Sequence, residues 1–95
     1  MDRRARLERR LREGLQATHV LVVDESHLHA GHAGARSGGG HFRAVVVSAL
    51  FQGKPPVERQ RLVYAALAEE MGREIHALSM QTLTPEQWEE QQPRR

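Results

Sequence analysis

The sequence predicts an α/β fold of the two-layer α+β kind, with a three-stranded mixed sheet and its helices on one face. The expected element order is α-β-β-α-α-β-α. Two helical stripes of apolar residues and three short β-branched or alternating runs indicate these elements. A chain of 95 residues is long enough for one modest core, which favours two layers over three.

The first helix and first strand follow from simple apolar patterns. Leu7, Leu11 and Leu15 recur every fourth residue and form one stripe on a helix over residues 2–15. Residues 19–24 are rich in β-branched side chains and favour a buried strand.

A long segment without periodicity separates the first two strands. Residues 25–39 are of a length that is usually functional or disordered in a small domain. Residues 42–48 form the second predicted strand, and a direct connection between the two strands indicates an antiparallel pair. Residues 50–51 are expected to add a short helical turn.

Glycine and proline at residues 53–56 mark the start of the next helix, because proline is tolerated in a first helical turn. Val63, Leu67 and Met71 form its apolar stripe. Gly72 is well placed to end this helix in a left-handed conformation.

The third strand and last helix close the predicted fold. Residues 75–80 alternate between apolar and other side chains. A strand–helix–strand step calls for a parallel crossover. Thr84, Pro85 and Gln87 have the spacing of a capping box with proline at the first helical position. Trp88 is expected to anchor this short helix to the core.

Length and composition predict a single domain over residues 1–95, with a core of about 5–88 and a polar tail at 89–95. No apolar run is long enough for a membrane helix, and a charged N-terminus argues against a signal peptide. The absence of cysteine fits a reducing cytoplasm. We expect a cytoplasmic protein, a monomer or weak dimer when alone.

Histidine is the residue type that points to chemistry. The chain has six histidines, and four of them lie in or beside one glycine-rich stretch: His27, His29, His32 and His41. Imidazole is the commonest metal ligand. A purely structural loop, or adventitious binding of divalent metals, is the alternative for all four.

A family resemblance is carried by segments spread along almost the whole chain, from about Leu7 to Trp88. These are DESH at 24–27, HAGH at 29–32, GGHFR at 39–43, VVVS at 45–48, FQGK at 51–54, ERQRLVY at 58–64, LAEEM at 67–71, IHALS at 75–79 and TLTP at 82–85. They closely resemble the BolA family.

The resemblance implies a fold similar to a class II KH domain. It also implies a monothiol glutaredoxin as partner, with a 2Fe-2S cluster shared between this chain, the glutaredoxin cysteine and a glutathione thiol. The family's ligand histidine near the last strand matches His76, and its loop ligand aligns with His29. His27 and His32 are loop alternatives, and His41 is close enough to compete.

Imidazole ligation would raise the potential of such a cluster and make it more labile, because a neutral, protonatable ligand replaces an anionic thiolate. That property suits cluster trafficking or iron sensing. Many family members have histidine where this chain has Gln60, which puts in question its affinity for the partner.

The alternative function is a DNA-binding transcriptional regulator, since some bacterial members of the family act in this way. Lys54, Arg59 and Arg61 lie near the start of the long helix and are the candidate DNA or partner contacts. The six arginines among the first twelve residues are interspersed with acids, which favours a solvated helix face over a phosphate-binding one. An enzyme is the least favoured class, because no nucleophile–base set or cofactor fingerprint is visible.

Overall fold

The elements follow the predicted order. The computed structural model describes residues 2–26 and 40–93, and within these ranges it contains three α-helices, one 3₁₀ turn and one sheet. The elements are α1 (Arg3–Leu15), β1 (His19–Asp24), β2 (Gly40–Val47), the 3₁₀ turn (Ala49–Phe51), α2 (Pro56–Ala66), β3 (Ile75–Leu83) and α3 (Pro85–Glu90). No helix in these ranges has the length and apolar character needed to cross a membrane.

The sheet is mixed, as predicted. Its strand order is β1-β2-β3, with β1 antiparallel to β2 and β2 parallel to β3. Because β2 and β3 are parallel, their first residues meet at the same end of the sheet. The end of β1 lies there too, since Asp24 pairs with Phe42.

One face of the sheet is covered by α1 and α2. Alternate residues of β1 and β2 point toward these helices, as the twofold repeat of a strand requires. The buried cluster comprises Leu7, Leu11 and Leu15 of α1, Val20 and Val22 of β1, Phe42, Ala44 and Val46 of β2, and Val63 and Leu67 at α2 and its end. The predicted stripe of α1 is therefore core, as are Val63 and Leu67 of the second stripe, whereas Met71 is partly buried beside the core.

The opposite face is covered only at one end. Leu21 points to this face and is 48% exposed. At the far end of the same face, Trp88 of α3 stacks on His19, with ring centroids 4.4 Å apart. Val47 beside His19 is fully buried. The last helix thus adds cover to a face that the prediction left without helices, and Trp88 anchors it there.

The second helix ends earlier than predicted. It stops at Ala66, and a series of turns leads to β3, although Gly72 does take a left-handed conformation with φ of 82°. The carbonyl of Glu70 accepts hydrogen bonds from the three amides of residues 73–75. These bonds turn the chain toward the sheet, whereas a longer helix would carry the chain away from it.

The two later strands also differ from prediction at their ends. β2 begins two residues earlier, at Gly40, and β3 continues to Leu83. Polar residues are accepted near the end of β3 because it is an edge strand with one open face. The capping box of α3 is confirmed, with hydrogen bonds in both directions between Thr84 and Gln87.

Acidic side chains neutralise most of the basic first helix. Five of its arginines form ion pairs with nearby carboxylates: Arg3 with Asp24, Arg4 with Glu8, Arg6 with Glu74, Arg9 with Glu13, and Arg10 with Glu69 and Glu70. Glu8 also accepts a hydrogen bond from the Val22 amide at 3.2 Å, which ties α1 to the outer edge of β1. The helix is a charge-compensated surface, as its interspersed acids predict.

Candidate functional site

A one-residue bulge in β3 determines which way His76 faces. Gly40 pairs with Ile75, but the next residue, His41, pairs with Ala77, so His76 is the extra residue. Ala77 pairs with His41 on the open face, so strict alternation back from Ala77 would turn residue 76 toward the core, opposite Gly40. Because of the extra residue, Ile75 takes that place in the core and His76 is exposed, with its ring centroid 5.3 Å from that of His41. Bulges of this kind commonly redirect a side chain at a functional site.

The backbone of His41 is held on both sides by the end of β1. Its carbonyl accepts a hydrogen bond from the Glu25 amide at 2.7 Å. Its amide donates to the hydroxyl oxygen of Ser26 at 3.1 Å. The Ser26 amide in turn donates to the Asp24 carboxylate at 2.9 Å. The imidazole of His41 therefore projects from a firmly connected point of the sheet.

Gly40 allows the chain to approach this point closely. A Cβ atom at this position would lie 2.5 Å from the Cε2 atom of Phe42 and 3.1 Å from the Ser26 hydroxyl oxygen. The Phe42 ring is buried and has little room to move. Only glycine fits between the ring and Ser26 without a shift of the strand.

Four charged groups surround the end of β1. Partial burial alone would raise the pKa of Asp24, but hydrogen bonds from Ser26 and the guanidinium of Arg3 outweigh it, so the pKa lies below the usual 3.8. On the open face, Arg43 Nε lies 3.4 Å from a Glu25 carboxylate oxygen. The side chain of Arg43 is 58% exposed, so this pair contributes little to stability.

A shallow pocket of about 270 Å³ lies beside His41 on this face. It is lined by Glu25, His41, Phe42, Ala77, Leu78 and Ser79. Its wall includes a carboxylate, an imidazole and a hydroxyl, so His41 borders a polar recess.

The structure brings together only part of the predicted ligand set. His76 is exposed and lies next to His41. His29, the predicted loop ligand, and its alternatives His27 and His32 lie outside the described residues. His41 entered the sequence interpretation only as a competitor. The parallel pairing of β2 and β3 was the available signal for it, because that pairing places the first residues of both strands side by side.

The two imidazoles fit one side of a shared metal site. Within residues 2–26 and 40–93 no group of three or more histidine, cysteine or acidic side chains could hold a metal ion. A 2Fe-2S cluster needs four protein or thiol ligands. The described residues alone therefore offer two neighbouring imidazoles and do not complete such a site.

Arg59 has an internal role. Its Nε donates to the Lys54 carbonyl at 2.8 Å, and its Nη1 donates to the Thr82 carbonyl at 3.2 Å and the Gln87 side chain at 2.9 Å. The guanidinium also lies over the ring of Phe51. These contacts join the start of α2 to the end of β3 and the cap of α3.

Arg61 and Lys54 are better placed for an external contact. Arg61 is exposed on α2, and neither residue has an ion pair within the part of the chain that the structure describes. Tyr64 is 40% exposed on the same helix, because the stripe that faces the core passes through Val63. Val57, one turn before Arg61, is also exposed.

Comparison with known proteins identifies relatives over most of the chain. A family model described as "BolA-like protein" matches residues 11–87. The chain is 42% identical over 86 residues to the DNA-binding transcriptional regulator BolA of Escherichia coli, covering 90% of this chain and 79% of that protein. It is 44% identical to human BolA-like protein 1, covering 90% of this chain but 61% of the human protein. The crystal structure of a Bol-like protein from Babesia bovis superposes with a TM-score of 0.76 at 40% identity, covering 95% of this chain and 93% of that one.

Proposed function

Because this chain belongs to the BolA-like protein family, we propose that it is a non-catalytic partner protein that ligates a 2Fe-2S cluster jointly with a monothiol glutaredoxin and glutathione. The observation that carries the proposal is the pair of neighbouring imidazoles, His41 and His76, at one end of the sheet. The cluster would be cargo for assembly or trafficking, or a signal of iron supply, in the cytoplasm.

The ligand chemistry of the chain supports a shared site. With no cysteine in the sequence, the sulfur ligands have to come from the partner and glutathione. When bound, the cluster would have a raised potential and a pH-dependent stability, because neutral imidazoles replace thiolates. Both properties suit transfer or sensing better than long-range electron transport.

The chain's own residues provide two neighbouring imidazoles, of which that of His76 is exposed. The bulge in β3 brings His76 to the open face, where its side chain is exposed. His41 is fixed through its backbone to the end of β1. The Nε2 atom of His41 is buried, so partner binding has to uncover that atom if it is the ligand. His29 remains the alternative second ligand, with His27 and His32 after it.

A titration of cluster-loaded monothiol glutaredoxin with this chain tests the proposal. Visible absorption and circular dichroism should show a new spectrum that saturates at one chain per glutaredoxin. His76→Ala should abolish the new spectrum, and a comparison of His41→Ala with His29→Ala identifies the second ligand.

His19→Ala is the matched control, since this histidine lies at the far end of the sheet against Trp88. It should leave the new spectrum intact. If the wild-type chain produces no spectral change, the cluster-sharing function is wrong.

A second candidate is DNA binding, which the name of the E. coli relative favours. Lys54 and Arg61 are the cations that could contact phosphate near the start of α2, and the helix dipole would add to their effect. Against it stands the neutralised surface of α1, which leaves the chain without an extended basic face in its described part.

A further inference from the structure

Ser26 makes a side-chain contact to His41 that the pairing of β1 with β2 does not require. The Glu25 amide already donates to the His41 carbonyl and closes the ladder between the two strands. The Ser26 hydroxyl oxygen accepts a second bond, from the His41 amide at 3.1 Å. Ser26 is itself held by the bond from its amide to Asp24.

We infer that Ser26 is a positioning residue that fixes the His41 imidazole beside His76. The inference rests on the proposed function for its purpose, since it concerns the same pair of histidines. A backbone held at both its amide and its carbonyl has a fixed Cα–Cβ direction. The first side-chain torsion then offers only a few staggered positions for the ring.

The residues before His41 explain why such a restraint is useful. Three glycines, residues 38–40, precede it in the sequence. Glycine has the widest choice of backbone conformations, so a run of glycines does not by itself direct the next side chain. The hydrogen bond that the His41 amide donates to Ser26 acts at the first residue after the run and supplies that direction.

Gly40 and Ser26 also constrain each other sterically. A Cβ atom at residue 40 would meet the Ser26 hydroxyl oxygen at 3.1 Å while pressing on the ring of Phe42. The glycine thus permits the close approach, and the serine uses it to hold His41. These two roles explain why Gly40, whose backbone has little conformational preference of its own, lies next to a candidate ligand.

The test uses the chain alone first. Ser26→Ala removes the acceptor, Ser26→Thr retains a hydroxyl, and Gln81→Ala is a control on the exposed face of β3, outside the pocket beside His41. We expect Ser26→Ala to speed hydrogen exchange of the His41 amide about fivefold, the effect of one ordinary hydrogen bond. We also expect a weaker proton Overhauser effect between the two imidazole rings, with a fall in the thermal midpoint of no more than about 4–8 °C. Ser26→Thr and Gln81→Ala should behave as wild type.

The second stage repeats the glutaredoxin titration with the same three variants. Ser26→Ala should weaken formation of the shared-cluster spectrum by about the same factor of five. An unchanged ring–ring Overhauser effect in Ser26→Ala would overturn the inference, as would weaker ring contact without any weakening of cluster sharing.

The two stages separate the inference from the proposed function. If the wild-type chain shares no cluster, the proposed function fails, and the inference loses its purpose even if the ring contact depends on Ser26. If the wild type shares a cluster and Ser26→Ala shares it equally well, only the inference fails.

Discussion

The direction of one side chain, His76, depends on a single inserted residue in β3. Without the extra residue, alternation back from Ala77, which pairs with His41, would turn residue 76 toward the core and away from the His41 ring. Whether two histidines on neighbouring parallel strands meet therefore depends on the strand register as well as on the residue type.

The contribution of Asp24 to the free energy of unfolding can be tested through its dependence on pH. Its folded pKa is below 3.8, so the carboxylate stabilises the fold above the unfolded pKa, and this stabilisation is lost as the pH falls through the folded value. The side chain is about one-third exposed, so we expect less than about 1 kcal/mol at neutral pH. Urea unfolding of wild type and Asp24→Asn from about pH 6 to about pH 2.5 should give a stability difference that shrinks with acidification. A difference independent of pH would contradict this assignment.

The family resemblance names His76 as a ligand, whereas His41 enters the sequence analysis only as a competitor for the loop position. The apolar alternation of residues 75–80 predicts a strand, yet nothing in that pattern reveals an extra residue at position 76. His41 directly precedes an apolar run and resembles an ordinary strand start. Its significance appears only when the parallel register places it beside β3.

Three ion pairs connect helix α1 to the segment between α2 and β3. Arg10 contacts Glu69 and Glu70, and Arg6 contacts Glu74. The side chain of Glu70 is only 5% exposed, and its Oε1 atom has no hydrogen-bond partner among the described residues. The nearby charge of Arg10 is thus its main compensation.

Two arginines of the same helix provide a matched comparison of these contacts. Arg10→Ala leaves the buried Glu70 carboxylate uncompensated, and we expect a loss of roughly 1–3 kcal/mol in the free energy of unfolding. Arg9→Ala removes a pair in which both side chains are over 60% exposed, and should cost about 0.5 kcal/mol or less. Chemical denaturation of the two variants measures both. Equal losses would show that Glu70 does not need Arg10.

The element-level prediction succeeds where local chemistry alone decides the outcome. The capping box at Thr84 is a contact between near neighbours, so its spacing predicts it correctly. Contacts between residues far apart in sequence determine where α2 ends. Glu70 forms an ion pair with Arg10 of α1, and the chain turns there to enter the sheet. Gly72 has the conformation expected of a helix-ending glycine but lies beyond a helix that has already ended.

On the scale of the whole molecule, the distribution of charge limits the DNA-binding alternative. The net charge is +2, and most arginines of α1 are paired. Phosphate contacts are therefore expected mainly from the start of α2.

Salt dependence tests this expectation. Arg61→Ala should weaken duplex DNA binding uniformly across sequences and reduce the slope of log affinity against log salt by about 1. Arg12→Ala, an exposed arginine on α1, is the control and should leave the slope unchanged. Arg59→Ala is unsuitable, because it also removes the contacts that join α2, β3 and α3. If neither exposed arginine affects binding, the surface at the start of α2 is not the DNA contact.

The stack of Trp88 on His19 also gives the protein an intrinsic fluorescent reporter. Trp88 is the one tryptophan in the chain, and it holds α3 against the sheet at the end remote from His41 and His76. Its emission should therefore follow release of the C-terminal helix before or with unfolding of the core. Changes at the histidine pair can then be followed by visible absorption while this emission reports, in the same cuvette, whether the opposite end of the fold remains intact.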